Sequence, residues 1–417
     1  MDRPDPQQQA RVEQARAQLP ALEASIYLNT GSSGPIPVVA DEAMRQVQDY
    51  ELRYGRAGAD AYEDLMASIG ECRAAVAAVL HAAPESVALT RSTTDGLNAA
   101  CWSIDWRVGD EAVTTTIEHI GLLAPLAALA GRGVRVRYAD VGDGGDDERS
   151  LMAIERELGP RTRLVGASHV SWLTGAVLPV HRIGNLARAA GAWSVIDGAQ
   201  SGGAIEVDPA SLGVDFYAIP AQKWLLGPEG MGALWASPRA VSDARQPHAA
   251  WWTTDATAAH LAGGEHDPGL RPWNDARRFD TAGFHHPSVV GFGRSVGWLA
   301  MHVGLAWMYE RGPRLAAAVA DGLMSIPGVT VLTPRSNMAT LVAFRVDGWP
   351  ADAALDALRR RAFATLRTLP GLNALRASVG WFNSERELER FLDAVADVAS
   401  YTPETLPRRA ELTIRGE

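Results

Sequence analysis

The sequence holds 39 basic side chains of the lysine or arginine type, and only one of them, Lys223, is a lysine. On a solvated surface the two types are nearly interchangeable, but arginine cannot shed its proton and act as an amine nucleophile. Lys223 is therefore either a chance survivor of an arginine-biased composition or a Schiff-base candidate. Other candidates stand at the ends of short apolar runs. Arg91-Ser92-Thr93-Thr94-Asp95-Gly96 follows the run Val87–Thr90 and opens a helical pattern. It reads as an ordinary N-cap or as a cradle for an anion, because hydroxyls and free amides gather at a helix N-terminus. Glu118-His119 follows the run at 111–116, where a lone histidine serves structure as readily as chemistry. Asp197 follows the run at 193–196 and can cap a helix or ion-pair with a protonated heterocyclic nitrogen. Lys223 itself follows the run at 216–219, in Gln222-Lys223-Trp224.

These positions need elements to hold them. Apolar residues at three- and four-residue spacing predict helices over 38–54 and 62–80. Strands are predicted at 87–90, 111–116, 134–139, 163–168, 193–196, 216–219 and 232–236, with helices over 122–130, 150–158 and 181–190 between them. Such alternation predicts an α/β fold with a mostly parallel sheet covered on both faces, with ligands at the carboxyl ends of its strands. From about 238 to 280 the periodicity stops and Trp251, Trp252 and Trp273 accumulate, as in a loop crossing a site or a subunit interface. A helix over 287–309 follows, and then a second α/β pattern: strands at 330–332, 339–346, 364–366 and 375–378, helices over 351–361 and 385–399. The expected division is an N-terminal arm (1–24) packing on the small domain, a large domain (25–285), a small C-terminal domain (286–405) and a loose tail (406–417).

Composition narrows the chemistry. With 417 residues, 47% apolar and a net charge of −10, the chain can bury a sizeable core but lacks the basic face of a nucleic-acid binder. Two cysteines, Cys72 and Cys101, exclude a disulfide framework and a cysteine-rich zinc site. No metal centre is expected. The polar start and the lack of any apolar stretch of about 20 residues predict a cytoplasmic protein away from membranes.

Together the candidates form a phosphate cradle, a ring-stacking histidine, an acidic partner for a pyridinium and an imine-forming lysine. Pyridoxal 5'-phosphate needs those four things. In this order the motifs also resemble the class V aminotransferase family of fold-type I pyridoxal-phosphate enzymes, most strongly its cystine/cysteine C–S lyase branch. The likeness runs from about Tyr27 to Ala399. It is carried by Tyr27-Leu28-Asn29-Thr30-Gly31, Ser92-Thr93-Thr94-Asp95-Gly96, Glu118-His119, Ser168-His169 with Trp172, Asp197-Gly198-Ala199-Gln200, Lys223-Trp224, Arg278-Phe279-Asp280 and Arg376-Ala377-Ser378.

The resemblance implies a seven-stranded mostly parallel sheet, a small α/β C-terminal domain and a homodimer with active sites at the interface. It also implies roles. Ser92, Thr93 and Thr94 would hold the phosphate, His119 stack on the ring, Asp197 meet its nitrogen, Gln200 lie near the phenolic oxygen and Lys223 form the Schiff base. Arg376 would bind the substrate carboxylate, with Trp172 and His169 beside the substrate. Three departures stand out. Pro220-Ala221-Gln222 replaces the usual serine, glycine and histidine before the lysine. Gly283 falls where a partner-subunit threonine reaches the phosphate, leaving Thr281 or backbone amides to compensate. Leu173 stands where the lyase branch has an asparagine. A desulfurase would need a mobile cysteine shortly before Arg376, and residues 365–375 contain none. The implied activity is β-elimination from cysteine, cystine or an S-substituted cysteine. The alternatives are amine transfer or other Cα chemistry, such as epimerisation or oxidative decarboxylation, and a non-catalytic homologue.

Overall fold

A computed structural model of the chain describes residues 6–255, 271–281, 283–369 and 371–407. The arm begins with helix α1 (Pro6–Arg16) and leads to a short strand β1 (Ile26–Tyr27). Helices α2 (Val38–Tyr54) and α3 (Ala59–Val79) follow. The alternation that comes next is the predicted one: β2 (Val87–Thr90), α4 (Thr93–Trp102), β3 (Glu111–Thr115), α5 (Ile120–Ala128), β4 (Arg135–Ala139), α6 (Asp147–Glu157), β5 (Thr162–Ser168), α7 (Val180–Ala189), β6 (Trp193–Asp197), β7 (Phe216–Pro220) and β8 (Gly232–Ala236). These seven strands form one sheet in the order β2-β8-β7-β6-β5-β3-β4. Only β8 runs against its neighbours. Every residue of β2, β3, β7 and β8 is buried, as a sheet covered on both faces requires. This is the fold-type I architecture expected.

A second, antiparallel sheet orders β12-β13-β10-β9, from β9 (Val329–Val331), β10 (Leu341–Val346), β12 (Arg367–Leu369) and β13 (Ala374–Ser378). Strand β1 leaves the first unit and pairs with β11 (Ala364–Thr365), Ile26 lying opposite Ala364. Ile26 and Leu28 consequently sit in the second core with Leu375, Phe391 and Val395.

The expected boundary at 285/286 does not coincide with a change of core. Helix His286–Trp298 puts Val289, Phe292 and Val296 into the first core, with Ile69, Cys72 and Val76 of α3. Gly293 permits the approach, since a Cβ there would lie 3.3 Å from the Cys72 Cα. The second core begins on the next helix, at Leu315. The arm likewise bridges both units: Ala15, Leu19 and Leu22 join the first core, while Arg16 pairs with Glu387 at 2.6 Å. The single helix expected over 287–309 is broken. A π-helical turn (Leu299–Val303) ends at Gly304 with φ of +90°, and a new helix runs Leu305–Met324. Among the described residues no single helix is long and apolar enough to cross a membrane.

Candidate active site

The carboxyl ends of β2, β3, β5, β6 and β7 lie along one side of the sheet, and β13 brings a residue from the second unit to meet them. At the end of β2, Ser92 caps α4, its Oγ accepting from the Asp95 amide. Capping occupies the Ser92 side chain and leaves the first-turn amides, with Thr93 and Thr94, as the anion-facing groups. Thr94 reaches toward the end of β3: a Cβ on Gly121 would lie 2.8 Å from Thr94 Oγ1 and 3.1 Å from His119 Nδ1. His119 caps α5 by accepting the Gly121 amide at Nδ1, 3.0 Å away. That bond assigns the neutral ring's proton to Nε2. Burial first, and then Lys223, Arg367 and Arg376, push the His119 pKa down to about 4. The ring is thus an uncharged plate, held edge-on to Trp172 with centroids 5.1 Å apart.

Beneath it, Glu118 is buried and accepts from Thr115 Oγ1 (2.6 Å) and from Ser168 Oγ, tying the ends of β3 and β5 together. Burial drives its pKa up to about 7, against those bonds and with help from Asp197. Asp197 ends β6 and is itself buried, with Oδ1 accepting the Ala199 amide at 2.8 Å. Burial pushes its carboxyl pKa up and Lys223 pulls it back. Lys223 lies just past β7, where Gly34 donates its amide to the Gln222 carbonyl at 2.7 Å. A Cβ on Gly34 would stand 2.3 Å from the Lys223 carbonyl, so only glycine fits there. Desolvation lowers the Lys223 amine to about 8, opposed by Asp197 and reinforced by Arg376 and Arg367.

Gln200 donates to the Gly31 carbonyl at 2.8 Å and accepts the Trp224 indole N–H at 3.0 Å. Arg376 on β13 is almost wholly buried, and its Nη1 donates to the Trp172 carbonyl at 2.9 Å. Its Nε and Nη2 have no partner. Burial, reinforced by Arg367, drops its pKa to about 9. A buried guanidinium with two idle donors is a site for a planar anion.

His169 does not join this group. Its side chain is buried and its Nδ1 meets the Tyr217 hydroxyl at 2.6 Å, which in turn meets Ser201 Oγ at 2.5 Å. The substrate-facing expectation for His169 is therefore replaced by a polar tie in the core. Gln222 has an unpartnered Oε1 beside the lysine. Thr281 donates its amide to the Leu89 carbonyl on the outer edge of β2, and Gly283 has open space where a side chain would be. Leu173 packs with Ala343, Leu369 and Ala374. Phe284 packs edge-on to Trp252. His285 pairs with Ser288, and His286 with Glu51 and Ser68.

The residue missed from sequence is Arg367. It lies directly opposite Arg376 in the β12–β13 pair, 5.7 Å over the Trp172 ring, and acts electrostatically on His119, Lys223 and Arg376. Its only signal was the turn between two short runs, Gly371-Leu372-Asn373. A cavity of about 620 Å³ between α1, α3 and helix His286–Trp298 contains none of these groups.

The residues present fit pyridoxal phosphate. The ends of neighbouring strands offer a helix start, an uncharged ring, a buried carboxylate and an amine of lowered pKa, the donor set that the cofactor requires. Residues 26–391 match the class-V aminotransferase family, and the chain belongs to it. A probable cysteine desulfurase of Pseudomonas aeruginosa is 32% identical over 340 residues, covering 78% of this chain and 80% of the relative. An isopenicillin N epimerase of Streptomyces clavuligerus is 27% identical, covering 92% and 97%. Among solved structures, a C-DES variant with glycine covalently linked to its PLP cofactor superposes with a TM-score of 0.84 at 28% identity, covering 92% of this chain and 99% of that one. The cystine C–S lyase C-DES in complex with cysteine persulfide superposes with a TM-score of 0.83, also at 28% identity, covering 91% and 99%.

Proposed function

We propose that this chain is a pyridoxal-phosphate-dependent C–S lyase that performs β-elimination on a cysteine-derived substrate. The observation that carries the reading is the state of the two cysteines. Both are wholly buried on helices α3 and α4, and burial raises each thiol pKa to about 12. Neither is a nucleophile that could take sulfur as a persulfide, so the sulfur leaves with its substituent.

When bound, the cofactor supplies an electron sink conjugated to the substrate Cα. Thr93, Thr94 and the first-turn amides of α4 would hold its phosphate, with Ser92 fixing that turn. Asp197 keeps a proton on the ring nitrogen by charge. His119 covers the ring face, and Gln200 stands near the phenolic oxygen. Arg376 grips the α-carboxylate through its idle Nε and Nη2. Lys223 would take the Cα proton, which the lowered pKa of its free amine suits. The thiinned donor set at Pro220 and Gly283 leaves Thr281 and Gln222 as candidate supplements.

Arg367 extends the reading to the substrate. A second guanidinium beside Arg376, stacked on Trp172, suits a second carboxylate on the far side of the sulfur, as in a cystine-like molecule. Self-association is part of the same proposal. Trp251 is 52% exposed and stacks on Tyr62, which is itself exposed, an outward aromatic pair that suits a homodimer contact.

The test is to incubate pure holoenzyme with S-substituted cysteines and assay pyruvate, in the parent and in a Cys72→Ala/Cys101→Ala double variant. Pyruvate without an amino acceptor, undiminished in a folded double variant, supports the lyase. Amine exchange with a keto acid assigns transfer instead, and activity lost with the thiols assigns a persulfide route.

A further inference from the structure

The cleft contains a further idle polar group, beside Arg376, that no role above uses. Ser378 lies two residues beyond Arg376 on β13, and alternate residues of a strand leave the same face. Its side chain is wholly buried, yet its Oγ has no partner. Its backbone is pinned, since the Ser378 amide donates to the Leu28 carbonyl at 2.7 Å and the residue bridges Asn29. That pairing carries Thr30 and Gly31 across the end of the strand. A Cβ on Gly31 would meet Ser378 Oγ at 2.8 Å, Arg376 Nη2 at 2.9 Å and Gln200 Oε1 at 3.0 Å. The hydroxyl and the guanidinium therefore crowd one glycine, at the same end of the cleft as Gln200.

Two other buried donors there are also without a partner, the Trp172 indole N–H and the Thr30 hydroxyl, but only Ser378 and Arg376 Nη2 crowd the same Gly31 position. Position 173 carries a leucine packed into an apolar cluster, not a side-chain amide. Arg376 spends Nη1 on the Trp172 carbonyl. A carboxylate accepts about four hydrogen bonds, and the planar fork of Arg376 Nε and Nη2 satisfies two of them side by side. A buried hydroxyl without a partner is rare in folded proteins and calls for a specific reason.

We infer that the Ser378 hydroxyl is a second, uncharged donor to the carboxylate bound by Arg376. It contacts the substrate and sets specificity for an acid over the corresponding amine. The inference rests on the reading of this cleft as an amino-acid site, but not on which bond is broken there.

The test uses holoenzyme titrated with an S-substituted cysteine and with the matching S-substituted cysteamine, which lacks the carboxyl group. Binding is read from the cofactor absorption band, independently of turnover. Ser378→Ala removes a single oxygen and keeps the packing. It should weaken binding of the amino acid by ~10-fold and leave the amine unchanged. Equal weakening of both, or of neither, overturns the role of Ser378. Parent enzyme that binds the amine as tightly as the amino acid overturns the carboxylate site itself. Absence of pyruvate with the amino acid, while binding and its loss in Ser378→Ala persist, overturns only the lyase reading.

Discussion

At the scale of single residues, the site works by desolvation more than by ion pairing. Lys223, His119, Glu118 and Arg376 are all shifted toward their neutral forms, with burial as the leading cause in each. For Lys223 this yields a measurable pH dependence. Its amine falls from 10.5 to about 8, so the neutral nucleophile accumulates as pH rises through 8. Apoprotein should take up pyridoxal phosphate faster across that range and level off above it, which stopped-flow absorbance would follow. The linked effect on stability has the same sign. Between about 8 and 10.5 the unfolded chain binds a proton that the folded apoprotein does not, so Lys223 favours folding increasingly as pH rises. An uptake rate indifferent to pH from 7 to 9.5 would mean the amine is not desolvated. Borohydride reduction of the holoprotein should place the label on Lys223, the one lysine in the chain.

At the scale of elements, the strand–helix alternation was legible because buried parallel strands read as short continuous apolar runs. The ends of those runs carried Asp197, His119 and Lys223 to one side of the sheet without any tertiary information. Arg367 was hidden for the opposite reason: β12 is three residues long, and nothing local distinguishes it from a loop. Only its pairing with β13 turns it toward Arg376. His169 was placed beside the substrate by resemblance alone, and nothing local showed that Tyr217, two strands away across β6, meets its ring in the core. The break at Gly304 was masked by apolar periodicity running through it.

One tie between elements is open to measurement. Arg73 of α3 forms a bidentate pair with Asp280 (2.9 and 2.8 Å) and donates to the Val87 carbonyl, while Asp280 accepts the Leu89 amide. This clamps the segment leading to Thr281 and Gly283 along the outer edge of β2. Arg73→Met leaves a buried carboxylate alone and should lower stability by about 3–5 kcal/mol, read as a fall in urea midpoint. A midpoint within error of the parent would show that the carboxylate finds water.

At the scale of the whole molecule, two cores share one cleft. The first supplies the groups proposed to face the cofactor, and β13 of the second supplies Arg376 and Ser378. The exposed stack of Trp251 on Tyr62, 5.8 Å between centroids, adds an outward apolar face to that assembly. Trp251→Glu should shift sedimentation from dimer to monomer at micromolar concentration while leaving the far-ultraviolet spectrum intact. A parent protein that sediments as a monomer would remove the homodimer from the proposal.

The pairing of β1 with β11 carries a consequence for the order in which this protein comes into being. Ile26 donates its amide to the Phe363 carbonyl, so nearly the first strand to leave a ribosome waits for nearly the last. Thr93, His119, Asp197 and Lys223 all emerge long before Arg376. A nascent chain thus holds the residues proposed to face the cofactor before it holds the one proposed to recognise a carboxylate. The pairing of β1 with β11 therefore completes the cleft only once the later part of the chain is in place.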